Sequence, residues 1–447
     1  MSRTNVVITV IFLSVALLTG SLFTGVALAA ENEEALSNTR EKEAEEDKFD
    51  AHESYTKLHF DDNEMDFALT LVLGATMNHG CEIGEAFYTA GNIKEGDAVS
   101  WQKEWINMAK RAEARGEESL AGGHQTSARQ QLQRASYYYR TALISMLPDD
   151  HRFKETAMKC RALLKRAGRL FDPPLEYFEI PFEDTALPGY YRRANHGEEA
   201  GKTLIMIGGG ETFAEDLVFY IAPQAHERGY NFLTVDLPGQ GLLPLEGKFF
   251  RADVEVPMRA VIDYTLGKPE VDPEQLAAYG MSGGGGFVPK TAMHDERIKA
   301  IVMNSAVVDA ERLFASMPVA TATRDVVETW SSFKGNTVKI IAWRWGVSMD
   351  NIPGLVAANE GFEFDPTKVT CPALLIIGEG EYSNEEVERQ QEECIEKLPN
   401  PQKKLVVTPA NEGASNHCII ENRSVMSQVV FDWLDEVFAV SGTKAEN

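Results

Sequence analysis

The chain has 447 residues, a length that predicts two or three folding units at about 150 residues per domain. Hydrophobic residues make up 44% and charged residues 25%, an ordinary globular composition that excludes a disordered, collagen-like or multi-span membrane protein. Lys and Arg total 43 against 68 for Asp and Glu, so the formal net charge is −25. A strongly negative chain repels phosphate backbones and anionic membrane surfaces, so we expect no binding to nucleic acid.

Residues 1–29 have the features of a secretory signal peptide. Arg3 precedes an uncharged stretch over residues 4–30, which is mostly apolar and contains the small-residue A-x-A pattern at residues 27–29. The pattern predicts cleavage and export to the periplasm, the cell surface or the extracellular space. The stretch is also long enough to span a bilayer, so an uncleaved membrane anchor, and with it membrane contact, is the alternative.

Residues 30–60 are predicted to form an acidic linker. Nine acidic and three basic residues lie between positions 31 and 50, and such a segment has too little apolar surface to fold alone.

The five cysteines are few and widely spaced for an exported protein, and they cannot all pair. We expect buried free thiols, with one disulfide left open. No C-x-x-C or H-x-x-x-H spacing indicates zinc, so no metal and no cofactor are expected. The cysteines are Cys81, Cys160, Cys371, Cys394 and Cys418.

Residues 61–174 are predicted to form an all-α cap domain. Helices are expected over residues 100–109, 126–143 and 153–170. In the first of these, Trp101 and Trp105 belong to one apolar stripe. A tetratricopeptide-like array is the alternative, but no repeat near 34 residues is present.

Residues 175–440 alternate between strand and helix patterns, which predicts a mostly parallel sheet covered by helices on both faces. Chemistry in such a sheet lies at the carboxyl ends of the strands. An insertion over residues 308–353 is a candidate lid that lines an apolar pocket, although packing alone would explain its aromatic residues. Strands are predicted at residues 175–182, 203–207, 231–235, 276–279, 298–304, 373–377 and 404–407, and helices at residues 213–228, 254–266 and 424–438.

Residues 280–284, Gly-Met-Ser-Gly-Gly, follow a predicted strand and precede a helix. This is the context of a G-x-S-x-G nucleophile elbow, in which flanking glycines permit a tight turn that exposes the serine hydroxyl. Ser282 is therefore the candidate nucleophile. A flexible glycine turn is the alternative.

A serine hydroxyl needs a base, held in turn by a carboxylate, and the expected chain order is Ser, acid, His. Two histidines follow Ser282 in the sequence. His294 is too near the elbow, whereas His417 lies in the loop between the last predicted strand and the last helix. His417 is therefore the candidate base.

The acid is expected in the loop after the strand at residues 373–377, where several glutamates compete. Glu381 is preferred because a G-E-x-D pattern at this loop would place its acid there. Glu379 is the next candidate, followed by Glu385 and Glu386, any of which could serve only as charges at a helix N-terminus.

Attack on a carbonyl also needs backbone amides directed at the oxyanion. Gly283, which follows the nucleophile, is one expected donor, and Gly209 or Gly210 in the run Gly208-Gly209-Gly210 is the other. A phosphate cradle is the alternative for this run, but both the G-x-G-x-x-G spacing and a P-loop lysine are missing.

Together these motifs resemble the α/β-hydrolase superfamily, in particular the branch with an N-terminal helical cap that includes 2,6-dihydropseudooxynicotine hydrolase and fungal polyketide-shortening hydrolases. The resemblance covers about residues 61–437. It rests on residues 96–101, 104–105, 127–129 and 134–140 in the cap, and on residues 208–212, 280–284, 413–418 and 431–434 in the core.

The resemblance implies an α/β-hydrolase fold and a Ser-acid-His triad that cleaves an ester, an amide or an activated carbon-carbon bond of a small-molecule substrate. It also implies a cap that closes the pocket and often helps to form a homodimer. The acid in this family is usually Asp, whereas every nearby candidate here is Glu.

Three functional hypotheses follow. The first is an esterase-like serine hydrolase with the triad Ser282, Glu381 and His417. The second is a carbon-carbon bond hydrolase acting on a β-diketone-like substrate. The third is a noncatalytic hydrolase-like binding protein, which would typically have lost the Ser or the His.

Overall fold

The computed structural model describes residues 50–52, 57–195 and 199–444, and these residues belong to one compact unit. The predicted signal peptide and the linker up to residue 49 lie outside the described residues. Among the described helices, none has the length and apolar character needed to cross a bilayer.

Five α-helices precede the sheet in the described part of the chain. The third is capped by Asp97, whose Oδ1 accepts a hydrogen bond from Ser100 N at 2.9 Å, and it buries Trp101 and Trp105 completely, as their spacing predicts. The helices are α1 (Asn63–Gly74), α2 (Ile83–Ala90), α3 (Ala98–Ala121), α4 (Gln125–Ala142) and α5 (Phe153–Gly168).

The sheet that follows has the order β1-β2-β4-β3-β5-β6-β7-β8 among the described residues. Strand β2 pairs antiparallel with β1 and β4, and the remaining neighbours are parallel. The carboxyl ends of β3, β5, β6, β7 and β8 therefore meet at one edge. The strands are β1 (Leu175–Phe182), β2 (Thr185–Arg192), β3 (Gly201–Ile207), β4 (Asn231–Val235), β5 (Val271–Met281), β6 (Ala300–Asn304), β7 (Ala373–Gly378) and β8 (Lys403–Thr408).

Helices flank this sheet on both faces, which confirms the predicted fold class of a mostly parallel α/β sheet with an N-terminal helical region. They are α6 (Ala214–Val218), α7 (Ala222–Glu227), α8 (Glu255–Leu266), α9 (Gly284–Ala292), α10 (Ala310–Ser316), α11 (Arg324–Val327), α12 (Ser332–Arg344), α13 (Gly354–Ala358), α14 (Glu379–Tyr382), α15 (Glu385–Lys397) and α16 (Arg423–Lys444).

Two of the differences from the sequence-based expectation concern a strand and a helix next to the sheet. Strand β2 is absent from the predicted strands, and it has Pro188 and Gly189, two residues that weaken a strand pattern, in its middle. The single helix predicted over residues 213–228 is two helices, and Pro223 lies in the first turn of the second, where its missing N–H leaves no helical hydrogen bond unmade.

The folded part also begins before residue 61, inside the segment predicted as linker. Asp66 Oδ1 and Oδ2 accept backbone hydrogen bonds from Leu58, His59 and Phe60 at 2.8 to 2.9 Å, and the Phe60 side chain is buried.

A buried ionic network joins the cap to the sheet. Arg161 in α5 donates from Nε to Glu215 Oε1 at 2.8 Å and from Nη2 to Asp236 Oδ2 at 3.0 Å. Tyr190 in β2 donates to the same Glu215 oxygen at 2.9 Å. Because these carboxylates are buried, removal of Arg161 would leave them without their cation.

All five cysteines are free thiols, and four of them are buried. The one disulfide that the sequence left open is therefore not formed.

Candidate active site

Ser282 lies in the turn between β5 and α9 and has a φ of 56°, in the left-handed region. A Cβ on Gly280 would lie 2.0 Å from the carbonyl oxygen of Gly284, and one on Gly284 would lie 2.5 Å from that of Ile207. Glycine is therefore required on both sides of the turn, which is the strained strand-turn-helix geometry of a nucleophile elbow.

His417 reaches Ser282 from the loop between β8 and α16, with 2.9 Å between His417 Nε2 and Ser282 Oγ. Glu421 fixes this loop by accepting hydrogen bonds from Ser415 N and Asn416 N at 2.5 and 2.7 Å. Tyr220 adds a hydrogen bond from its hydroxyl to the carbonyl oxygen of Cys418. The other downstream histidine, at position 294, is exposed and does not line the cavity around Ser282.

Glu381 stands behind His417, with 2.8 Å between Glu381 Oε1 and His417 Nδ1. It lies in α14, directly after β7, and is 2% exposed. Ser305, just beyond β6, donates to the same carboxylate oxygen at 2.9 Å. The three sequence-predicted residues Ser282, His417 and Glu381 are thus brought together in one row.

The alternative acids lie elsewhere. Glu379 is exposed and accepts a hydrogen bond from Ala410 N at 2.7 Å. Glu385 is exposed in the first turn of α15, and Glu386 accepts from Arg312 Nε at 2.7 Å. The structure brings none of these three carboxylates to His417.

The environment of His417 favours its protonated form. Burial works to lower the pKa of His417, but the neighbouring Cys418 and the Glu381 carboxylate outweigh it and hold this pKa well above the ordinary value of 6.5. A histidine with a raised pKa is a stronger base, and Glu381 would stabilise the imidazolium that forms when it accepts a proton.

The glycine loop after β3 lies against the elbow. A Cβ on Gly209 would be 2.5 Å from Ser282 Cβ and 2.8 Å from Gly283 N. Gln240 Nε2 donates to the carbonyl oxygens of Gly208 and Gly209 at 2.7 and 3.2 Å. Because the N–H of a trans peptide points away from its C=O, these bonds direct the amides of Gly209 and Gly210 away from Gln240.

A cavity of about 180 Å³ opens above Ser282, between the cap, the sheet edge and the insertion that precedes β7. That insertion comprises α10 to α13 and supplies much of the apolar wall. Its apolar lining residues include Leu313, Phe314, Met317, Val338, Ile341 and Trp345.

The cap contributes residues to the cavity that the sequence did not identify. His52, Glu64 in α1, and Tyr137 and Arg140 in α4 line the cavity. The spacing of three between Tyr137 and Arg140 places both on one face of α4, whereas neighbouring Tyr138 does not line the cavity. That spacing is the sequence feature that could have identified the two α4 residues as cavity-lining. No sequence feature identifies His52 in this way.

Among the described residues, no group of three or more His, Cys, Asp and Glu side chains could hold a metal ion.

Comparison with known proteins identifies the family. The FrsA-like esterase model matches residues 89–326, which is more than half of the chain. The chain belongs to the FrsA-like esterase family. The matched region contains Ser282 and the Gly208–Gly210 loop but ends before Glu381 and His417, so the acid and the base rest on the geometry described above.

One reported relative spans most of this chain and the other spans about half of it. The 20-hydroxy-prefusarin hydrolase FUS2 of Gibberella moniliformis is 30% identical over 404 residues, spanning 84% of this chain and 96% of its own length. The α/β-hydrolase gkaG of Penicillium citrinum is 34% identical over 252 residues, which is 53% of this chain and 58% of its own length.

The fold has a solved counterpart in the crystal structure of 2,6-dihydroxy-pseudo-oxynicotine hydrolase, with a TM-score of 0.65 at 21% identity, covering 83% of this chain and 96% of that one. This FrsA-like protein is therefore an α/β-hydrolase enzyme that acts on small substrates.

Proposed function

We propose that this FrsA-like enzyme is a serine hydrolase that cleaves an ester-like acyl bond of a small organic substrate through a Ser282-Glu381-His417 triad and an acyl-enzyme. The observation that carries the proposal is the continuous contact from Ser282 Oγ through His417 to Glu381, at 2.9 and 2.8 Å. Its supports are the left-handed turn at Ser282 and the adjoining glycine loop.

In the acylation half, Ser282 Oγ attacks the substrate carbonyl carbon while His417 Nε2 accepts the hydroxyl proton. Glu381 orients the imidazole and stabilises its positive charge. The amides of Gly283 and of Gly209 or Gly210 donate to the oxyanion of the tetrahedral intermediate. Collapse of this intermediate releases the leaving group, and water then hydrolyses the acyl-enzyme.

The apolar cavity wall indicates which substrates fit. Apolar side chains from the insertion surround the space above Ser282, so binding gains from burial of a hydrocarbon or ring portion of the substrate. Polar groups that also line the cavity, among them Glu64 and Arg140, then orient the bond to be cleaved.

Replacement of the nucleophile tests this proposal. In Ser282→Ala we expect turnover of a para-nitrophenyl ester to fall by about 10⁴-fold or more, together with complete loss of labelling by a fluorophosphonate. Ser424→Ala, at an exposed serine in the first turn of α16, is the matched control and should keep both. Full activity in Ser282→Ala would refute the proposal.

Carbon-carbon bond hydrolysis is the second candidate. The same attack on a carbonyl would expel a carbanion, which needs a proton as it leaves. A second histidine, His52, lines the cavity and could donate this proton. Product analysis on matched esters and β-diketones separates the two reactions. A noncatalytic binding protein would leave the fluorophosphonate unreacted.

Export through residues 1–29 remains part of the proposal. N-terminal sequencing of the protein recovered from outside the cytoplasm should begin shortly after residue 29. Recovery of the uncut chain in the membrane fraction would favour the anchored alternative.

A further inference from the structure

A second histidine-carboxylate pair faces the cavity, from the cap side. His52 Nδ1 lies 2.6 Å from Glu64 Oε1 in α1, and both residues line the cavity. The His52 ring stacks on Phe67 with 4.8 Å between ring centroids and 13° between planes, which fixes its orientation. This arrangement repeats that of Glu381 and His417, in which a carboxylate holds Nδ1 and leaves Nε2 for chemistry.

His52 lies close to the reacting groups. Its ring centroid is 6.3 Å from that of His417, whose Nε2 contacts Ser282. Its Nε2 lies 3.7 Å from Oε1 of Glu211, the residue directly after Gly210, and this distance is beyond hydrogen-bond range. A carbonyl bound at Ser282 and the glycine loop is therefore within reach of both imidazoles.

The charges around His52 favour a proton on both of its nitrogens. Burial works to lower the pKa of His52, but Glu64 and Glu211 outweigh it and raise this pKa to about 9. Asp50 adds to this effect from the same segment and is paired with Lys334 Nζ in α12 at 2.8 Å. His417 is one more titratable group that faces the His52 ring, and it does so from the core side of the cavity.

We propose that His52 is a second proton-transfer residue of this site, which donates its Nε2 proton to the leaving group while His417 keeps the proton taken from Ser282. This inference rests on the proposed serine-hydrolase function. Glu64 acts through His52 and is a positioning residue.

Protons balance over the whole cycle. In acylation, the Ser282 Oγ proton moves to His417, the bond from the carbonyl carbon to the leaving group breaks, and the leaving group takes the electron pair and the His52 proton. In deacylation, water attacks the acyl carbon and gives a proton to the neutral His52. The Oγ–carbon bond then breaks, and Ser282 recovers its proton from His417.

This assignment narrows the substrate class. A phenolate of low pKa leaves without assistance, whereas an alkoxide or an enolate needs a proton as the bond breaks. The enzyme is thus expected to favour substrates whose leaving group is the conjugate base of an alcohol or of a ketone.

The test is a leaving-group series on the full chain with one acyl group and alcohols of increasing pKa, from para-nitrophenol through phenol to an alkanol. In His52→Gln we expect kcat/KM, which reports acylation alone, to fall by about tenfold or less on the para-nitrophenyl ester and by about 10² or more on the alkyl ester. Labelling of Ser282 by a fluorophosphonate, which expels fluoride, should be retained. We further expect the alkaline fall in wild-type kcat/KM on the alkyl ester, near pH 9, to be absent from the variant.

Two further variants test whether the effect is specific to His52 and its carboxylate. Glu64→Gln should show the same dependence on the leaving group with a smaller amplitude, because the imidazole remains but loses its carboxylate. His151→Gln is the matched control, since His151 is an exposed histidine near Asp150, 3.5 Å from its carboxylate, outside the residues that line the cavity.

An equal loss of kcat/KM on every leaving group in His52→Gln would overturn the inference, because it would indicate a binding or structural role. Loss of fluorophosphonate labelling would overturn it as well, since His52 would then act on Ser282 itself. Either result leaves the proposed triad intact if Ser282→Ala remains inactive, so the two proposals fail separately.

Discussion

The two walls of the cavity are built in different ways. The core wall consists of residues at strand ends, where Ser282 follows β5, Glu381 follows β7 and His417 follows β8. The cap wall consists of residues on helices and of a short segment that contains His52. The carboxyl ends of the strands and the glycine turns position the reacting side chains of the core wall, and the helices packed over this edge of the sheet form the opposite wall. We infer that the core supplies the nucleophile, its base and the acid, whereas the cap wall, through His52, determines which leaving groups are cleaved.

The largest expected effect is on the core side. Glu381→Gln keeps the shape of the side chain but removes the charge that orients and stabilises His417, so we expect kcat/KM on a para-nitrophenyl ester to fall by about 10³ to 10⁴. Glu379→Gln and Glu385→Gln, in the same loop region, should stay within about twofold of the wild type. A large loss in either control with little loss in Glu381→Gln would transfer the acid role to the other carboxylate.

The next effect is on stability, through the buried ion pairs between the cap and the core. Arg161→Met removes the cation from buried Glu215 and Asp236, and we expect the free energy of unfolding to fall by about 3 to 5 kcal/mol. Urea unfolding followed by tryptophan fluorescence measures this change.

The control for Arg161→Met is Arg166→Met, which removes the more exposed ion pair with Glu117. It should lower the free energy of unfolding by about 1 kcal/mol or less. Equal destabilisation by the two variants would mean that the buried network does not hold the cap in place.

The core wall was largely predictable from sequence and the cap wall was not, for a physical reason. The nucleophile elbow at Ser282 requires glycines at positions within a few residues of the serine, so it can be read from a short stretch of sequence. Of the two histidines that follow Ser282, only His417 lies in a suitable loop. Glu381 was the preferred choice among several glutamates, and the structure places it at His417. No local pattern marks His52, because its role depends on Glu64 and Phe67, which the fold of α1 brings to it.

A third effect tests how closely the glycine loop must approach the nucleophile. Gly209→Ala would bring a Cβ to 2.5 Å from Ser282 Cβ, so the loop must move and the oxyanion donors with it. We expect kcat to fall by about 10² to 10³ on all esters. Gly84→Ala, where an added Cβ meets nothing within 4 Å, is the control and should be fully active. Unchanged kcat in Gly209→Ala would exclude this loop from oxyanion binding.

The smallest effect is a shift in the acid limb of the pH profile. His417 must be neutral to accept the Ser282 proton, so kcat/KM falls as the pH is lowered through its pKa, by about tenfold per pH unit. Because this pKa is held above 6.5, we expect the midpoint of the wild-type limb to lie above pH 6.5. Glu381→Gln removes a carboxylate that raises the pKa, so the limb of its residual activity should move to lower pH, whereas Glu379→Gln should leave it in place. A wild-type midpoint below pH 6.5 would show that burial outweighs Cys418 and Glu381 at His417, so that the carboxylate on the core wall would not raise the pKa of its histidine as Glu64 does on the cap wall.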